Sequence, residues 1–176
     1  MDKYVSKYKE YISPKIIEDR VKFTANKISN DYSGRTLDLI CLTGGGLFLA
    51  VDLARLIDVE VNFHIMSFAS YSKSTPLGQV KILQDIDQPL EGKDVLVVEG
   101  VIVSGKTPQF LMDLLKLRNP ASLEICALGI KPSALKVDMS IRYSLFEFGE
   151  EWIEGYGIGS GANKVYPGLI DLNDSK

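Results

Sequence analysis

Ser104-Gly105-Lys106-Thr107, closing the run Asp94 to Thr107 (DVLVVEGVIVSGKT), has the residue types of a phosphate cradle. An apolar strand leads into a turn of small residues and then a helix, so main-chain N–H groups converge with the positive end of the helix dipole behind them. Such a turn binds an anion without any catalytic side chain. Gly100 to Thr107 also satisfies G-x-x-x-x-G-K-[ST], the P-loop pattern of nucleotide hydrolases. Against that reading, the later run SLEICALGI ends at Ile130-Lys131 without the acid that would hold magnesium in those proteins. A second glycine group, Gly44 to Gly46, follows Thr43. Lys131, before Pro132, offers a cation, and Trp152, the sole tryptophan, offers a broad stacking face.

Positioning these groups requires alternating elements. Asp94 to Glu99 reads as a buried strand, Pro108 as a helix opener, and Gln109 to Arg118 as the helix it opens. Ser13-Pro14 starts an earlier helix whose Ile16, Ile17, Val21, Ala25 and Ile28 keep helical spacing until Asn30 and Gly34. LDLICL, from Leu37 to Leu42, is a short strand, followed by the glycine triplet and an apolar helix to Ile57. VEVNFHIMSF and SLEICALGI supply further strands. The fold class expected is α/β: a mostly parallel twisted sheet with helices on both faces, and ligands at the carboxyl ends of the strands. Both glycine turns should open onto that crevice. Ser70 to Val80 (SYSKSTPLGQV) reads as a long loop able to act as a lid through Ser70 and Tyr71. From Trp152 onward the glycine-rich segment ends in an expected edge strand and tail.

The chain has 176 residues, 45% of them hydrophobic and 24% charged, which suits a single domain over 1–176. A net charge of -3 and no long basic run give no support for a duplex nucleic-acid partner. The opening MDKYVSKYKEY is too charged for a signal-peptide core, and no apolar run approaches the ~20 residues of a membrane span. The expected location is therefore the cytoplasm. Cys41 and Cys126 sit in apolar runs as small buried hydrophobes, and His64 has no second ligand at metal spacing. There is no internal repeat.

Four segments in order, LICLTGGGLFLAVDLAR, ASYSKSTPLGQVKIL, GKDVLVVEGVIVSGKT, and ICALGIKPSALKVD with FEFGEEWIEGYGIG, resemble the hypoxanthine/guanine phosphoribosyltransferases of purine salvage. The resemblance covers nearly the whole chain. It implies a type I phosphoribosyltransferase fold with a small hood built from the C-terminal segment. It further implies that Val103, Ser104, Gly105, Lys106 and Thr107 hold the 5′-phosphate of phosphoribosyl pyrophosphate or of the nucleotide. Thr43, Gly44 and Gly45 would face pyrophosphate, Glu99 the ribose, and Lys131, Trp152 and Ile153 the purine. A cation at O6 selects a 6-oxopurine, because the amino group of adenine would meet a donor with a donor. Mg²⁺ is the implied cofactor, and a homodimer or homotetramer the implied assembly.

The sequence departs from that family at its acids. Gly100 stands where a second acid is usual, Val103 where an aspartate beside the purine N7 is usual, Gly159 where a metal-binding aspartate is usual, and Gly44 where the first turn carries a basic residue. No catalytic side chain is then assigned, and Glu99 alone is left as a possible metal ligand. Three functions follow for test: a purine phosphoribosyltransferase with reduced activity, a silent purine-nucleotide-binding protein such as a GMP or IMP sensor, or a small P-loop NTPase. Restoring acids through Gly100→Asp with Val103→Asp is expected to raise the transferase rate.

Overall fold

A computed structural model describes residues 8–70 and 80–175. Leu37–Leu42 forms the central strand β2, with every residue buried, as expected of a parallel strand covered on both faces. Around it β1 is Tyr8–Ile12, β3 Val61–Ser70, β4 Val80–Gln84, β5 Asp94–Ile102, β6 Ser122–Ile130, β7 Tyr143–Glu147, β8 Ile153–Glu154 and β9 Leu169–Ser175. The helices are α1 (Pro14–Asp31), α2 (Leu47–Leu56) and α3 (Lys106–Lys116).

Among the described residues the strands make a six-stranded sheet, β4-β3-β2-β5-β6-β7, and a three-stranded sheet, β1-β9-β8. All neighbours in the first are parallel except β4, which runs antiparallel to β3. On one face, Ile17, Val21 and Ile28 of α1 and Leu49 and Leu53 of α2 pack on Leu39, Cys41, Leu96, Val98 and Leu128. On the other, Leu111 and Leu115 of α3 join Ile86 and Leu90 over Ile40, Val97 and Ile125. Alternation along each strand sends neighbouring residues to opposite cores, so helices cover both faces as expected.

Ser13 caps α1, its Oγ accepting from Ile16 N at 3.3 Å, and Pro14 opens the helix. Helix α3 begins at Lys106 rather than at Pro108. Gly105, with φ 73°, reverses the chain in a backbone shape that favours glycine, and Gln109 N already bonds Gly105 O at 2.9 Å. Pro108 therefore sits inside the first turn, where an absent N–H costs nothing. Cys41 and Cys126 are buried and free, and burial pushes their thiols up to about 11 and about 12. His64 lies in β3, its Nε2 2.7 Å from Oδ1 of the buried Asp38, which also meets Lys93 at 3.4 Å.

Two expectations about the C-terminal segment change. β9 is not an edge strand but the centre of the small sheet, flanked by β1 and β8. The hood is likewise not C-terminal alone, since β1 supplies one of its edges. β1, β4 and β7 escaped the sequence reading: YKEYI and VKILQ put charged or amide side chains among the apolar ones, which hides the two-residue period. The lid expectation falls at the end of β3 and beyond, and Tyr71 lies outside the described residues. Among the described residues no helix is long and apolar enough to cross a membrane.

Gly129 of β6 is where the larger sheet meets Phe148: a Cβ there would stand 2.2 Å from Phe148 Cε2. Gly129→Ala should destabilise the fold by about 1–3 kcal/mol through overpacking, measured by denaturant unfolding. Unchanged stability would mean that Phe148 is not wedged against β6.

Candidate active site

Strands β2 and β5 are parallel neighbours, so the turns that follow them emerge at the same end of the sheet. A cavity of about 530 Å³ opens there, lined by Gly44 and Gly45 after β2, Glu99, Val101 and Val103 along β5, Lys131 after β6, and Glu151, Trp152, Ile153, Gly157, Ile158, Gly159 and Lys164 of the hood. A recess of about 210 Å³ shares Glu99, Val101 and Val103 and continues to Ser104, Gly105, Thr107 and Pro108. The predicted cradle lines one of two neighbouring cavities that share Glu99, Val101 and Val103, and the first glycine turn, lysine and tryptophan line the other. Thr43 and Lys106 are not among the residues lining either part. A second cavity, of about 570 Å³, lies by Asn62, His64, Asp85 and Lys93 and holds neither glycine turn.

The hood side is rigidly placed. Trp152 N donates to Asp171 Oδ1 at 2.9 Å and its carbonyl accepts from Leu172 N at 2.8 Å, while the residue stays 65% exposed. Its main chain is pinned to β9 and its side chain is left on the cavity wall. Lys131 Nζ donates to Glu151 O at 2.6 Å, which ties the larger sheet to the hood at the mouth of the cavity.

Between the two glycine turns there is almost no room. A Cβ on Gly100 would stand 2.7 Å from Gly45 Cα, and one on Gly45 would stand 3.1 Å from Gly100 Cα. Ile158 Cδ1 closes the remaining side, 2.7 Å from both Cβ positions. Ile158 arrives there on a tight hairpin, with Gly155 N bonding Ile158 O at 3.1 Å and Ile158 N bonding Gly155 O at 2.8 Å. Tyr156 in that turn anchors to α2, its OH donating to Asp52 Oδ2 at 2.6 Å. The sequence reading missed Ile158, Glu151 and Lys164. Four glycines from Gly155 to Gly161 were visible as a turn signal, but not the direction in which the turn would point.

Glu99 is half-buried on the cavity wall, and one partner is present, Gly100 N donating to Oε1 at 2.7 Å. Desolvation pushes its carboxyl from 4.5 up to about 7 against the weaker opposing pull of that hydrogen bond. Val103 is 46% exposed on the cavity wall and presents only methyl groups.

A family model for the phosphoribosyl transferase domain matches residues 7–159. The chain is 38% identical over 149 residues to the hypoxanthine-guanine phosphoribosyltransferase of Mycobacterium tuberculosis, covering 81% of this chain and 74% of that one. It belongs to the hypoxanthine/guanine phosphoribosyltransferase family. The crystal structure of a hypoxanthine-guanine phosphoribosyltransferase from Bacillus anthracis, with a HEPES molecule in the active site, superposes with a TM-score of 0.89 at 34% identity, over 94% of this chain and 99% of that one. The Trypanosoma cruzi hypoxanthine phosphoribosyltransferase in complex with the product IMP gives 0.87 at 27% identity, over 97% and 95%.

Membership of the phosphoribosyltransferases settles the Gly100–Thr107 octet as part of their domain and removes the P-loop NTPase reading. The side chains around the cavity do not fit a protein-held Mg²⁺, which takes near-octahedral oxygen ligands. Glu99 holds Gly100 N, Glu151 accepts from Tyr11 OH and Gly149 N, and among the described residues no three acids, histidines or cysteines cluster for a metal. The expected benefit of Gly100→Asp also fails on geometry, because its Cβ needs the space of Gly45 main chain.

Val103→Asp should leave the unfolding midpoint almost unchanged, whereas Gly100→Asp should cost about 1–3 kcal/mol by forcing the two turns apart. Equal stability of the two variants in thermal unfolding would refute the close approach. Glu99 gives a pH signature as well. The unfolded chain loses this proton near 4.5 and the folded one near 7, so its contribution to stability falls as pH rises across that window and is flat above it. Relative to the unaltered chain, Glu99→Gln should gain stability between about pH 5 and about pH 8, by up to about 3 kcal/mol at 1.36 kcal/mol per unit. A constant difference at both pH values would place the carboxylate in water.

Proposed function

We propose that this chain works in purine salvage as a slow hypoxanthine/guanine phosphoribosyltransferase, converting a 6-oxopurine and phosphoribosyl pyrophosphate to IMP or GMP and pyrophosphate. The observation that carries the reading is the pair of neighbouring cavities, sharing Glu99, Val101 and Val103, that set the cradle at Ser104, Gly105 and Thr107 beside Gly44, Gly45, Lys131 and Trp152. In this account main-chain N–H groups from Val103 to Thr107 bind the 5′-phosphate, and Thr43, Gly44 and Gly45 face pyrophosphate. Glu99 meets a ribose hydroxyl. The purine lies on Trp152 beside the main chain of Ile153, with Lys131 donating to O6.

The bond from C1′ to the pyrophosphate oxygen breaks as the bond from C1′ to N9 forms. The ring proton of the base passes to water, because Val103 offers no acceptor. Loss of a general base typically costs 10²–10⁴-fold in rate, which slows this transfer without abolishing it. Positioning of the two reactants by the cradle and the tryptophan still contributes. Assembly as a homodimer or homotetramer and a cytoplasmic location belong to the same proposal; exposed Phe63, Ile65 and Leu83 on β3 and β4 support assembly. The approach of Gly45 to Gly100 favours one second reading, a silent protein that binds GMP or IMP, since the turn facing pyrophosphate is closed against the β5 loop.

Product formation from hypoxanthine and guanine, followed by chromatography, separates the readings. Slow formation of IMP or GMP supports transfer, whereas nucleotide binding with no product supports the silent protein. Absence of both product and nucleotide binding would end the proposal. Lys131→Ala should weaken GMP binding about 10–100-fold, the value of a hydrogen bond to a charged group. Trp152→Ala should cost about 1–3 kcal/mol through lost stacking. Unaltered affinity in both variants by calorimetry would put the purine elsewhere.

A further inference from the structure

Both acids that line the cavity, Glu99 and Glu151, are engaged by protein donors rather than presented to a divalent cation, and the acid beside Gly159 is committed to another task. Glu154 of β8 is 8% exposed and sits across the Tyr156-Gly157 hairpin from Gly159. Opposed residues in an antiparallel pair bring their Cβ atoms to ~4.5–5.5 Å, so each competes for the other's space. Glu154 has taken all of it: a Cβ on Gly159 would stand 2.4 Å from Glu154 Cγ and 2.8 Å from Oε1. The carboxylate accepts from Ser160 N at 3.3 Å and from Asn163 Nδ2 at 2.9 Å. An acid at 159 and a glutamate at 154 therefore exclude one another. Glu154 does not line the cavity, and its carboxylate oxygens are taken up by Ser160 and Asn163 in the segment after the hairpin.

Positive charge, by contrast, is available. Lys131 is engaged with Glu151 O, but Lys164 lines the cavity and forms no ion pair or side-chain hydrogen bond among the described residues. Its carbonyl accepts from Gly157 N at 2.9 Å, and a Cβ on Gly157 would lie 3.3 Å from Gly45 O. Lys164 is thus carried on the limb of the hood that abuts the first glycine turn. An ammonium held there opposes phosphate charge directly.

We infer that the cavity takes a phosphate-bearing ligand without a divalent cation, Lys164 giving the counter-charge at the Gly44-Gly45 end and Glu154, through Asn163, bracing the Gly161–Val165 turn that carries it. The inference rests on the proposed function and deepens it.

Calorimetric titration of inorganic pyrophosphate and of GMP into the full chain, in EDTA and in Mg²⁺, tests it. Pyrophosphate affinity should change less than about threefold between the two buffers. It should fall about 10-fold or more in Lys164→Ala and be kept in Lys164→Arg, as expected of a charge-assisted contact. GMP binding at native strength by Lys164→Ala would show that the variant is folded. Pyrophosphate binding that requires Mg²⁺, or that ignores Lys164→Ala, overturns the inference while GMP binding leaves the proposed function standing. Failure of both ligands to bind in either buffer overturns the proposed function and this inference with it. Gly159 has φ 85°, so Gly159→Asp should lower the unfolding midpoint in any background, but by more beside Glu154 than in a Glu154→Val background. An equal loss in both backgrounds would refute the exclusion.

Discussion

The contact between the main chains of Gly45 and Gly100, capped by Ile158, is the constraint on which the rest of the site depends. It joins the turn after β2 to the middle of β5, and it can form because neither position carries a Cβ. Everything around the cavity is arranged from that seam. Helix α2 springs from the first turn, the cradle lies beyond Val103, and the hood reaches in through one hairpin held to α2 by Tyr156 and Asp52. A side chain at either glycine would push the two walls of the cavity apart.

The seam also sets the chemistry. Binding by oriented main-chain groups needs only the backbone path, and that path is intact from Val103 to Thr107. The carboxylates that the family resemblance implies would stand at 100, 103 and 159, and each of these positions is closed to an acid or changed in kind. Gly100 meets Gly45, Val103 presents methyl groups, and Gly159 meets Glu154. The substitutions at 100 and 159 are therefore tied to their neighbours. Desolvation of half-buried Glu99, raised to about 7, further lowers the negative charge on the cavity wall at neutral pH.

Much of the fold was legible because its central strands are buried on both faces. The continuous apolar run of β2 and the strand–turn–helix at β5 and α3 needed no tertiary information, and Ser13-Pro14 marked α1 by local capping alone. β1 and β9 were harder: each is half-exposed, and their pairing joins residues some 160 positions apart, which no local pattern encodes. At the site, glycines and an isolated lysine or tryptophan could be picked out by type. Their neighbours could not. Ile158, Glu154 and Lys164 matter because of which way a hairpin turns, and that direction follows from Tyr156 reaching Asp52, more than a hundred residues earlier.

The central claim is that a purine nucleotide spans this cavity from the β5 cradle to the hood. A crystal structure of the chain soaked with GMP tests it most directly. The account predicts the phosphate on the main-chain N–H groups of Ser104 to Thr107 and the purine on Trp152 with O6 beside Lys131 Nζ. A nucleotide bound at the cavity beside His64 and Lys93, or with its phosphate away from the cradle, would contradict it.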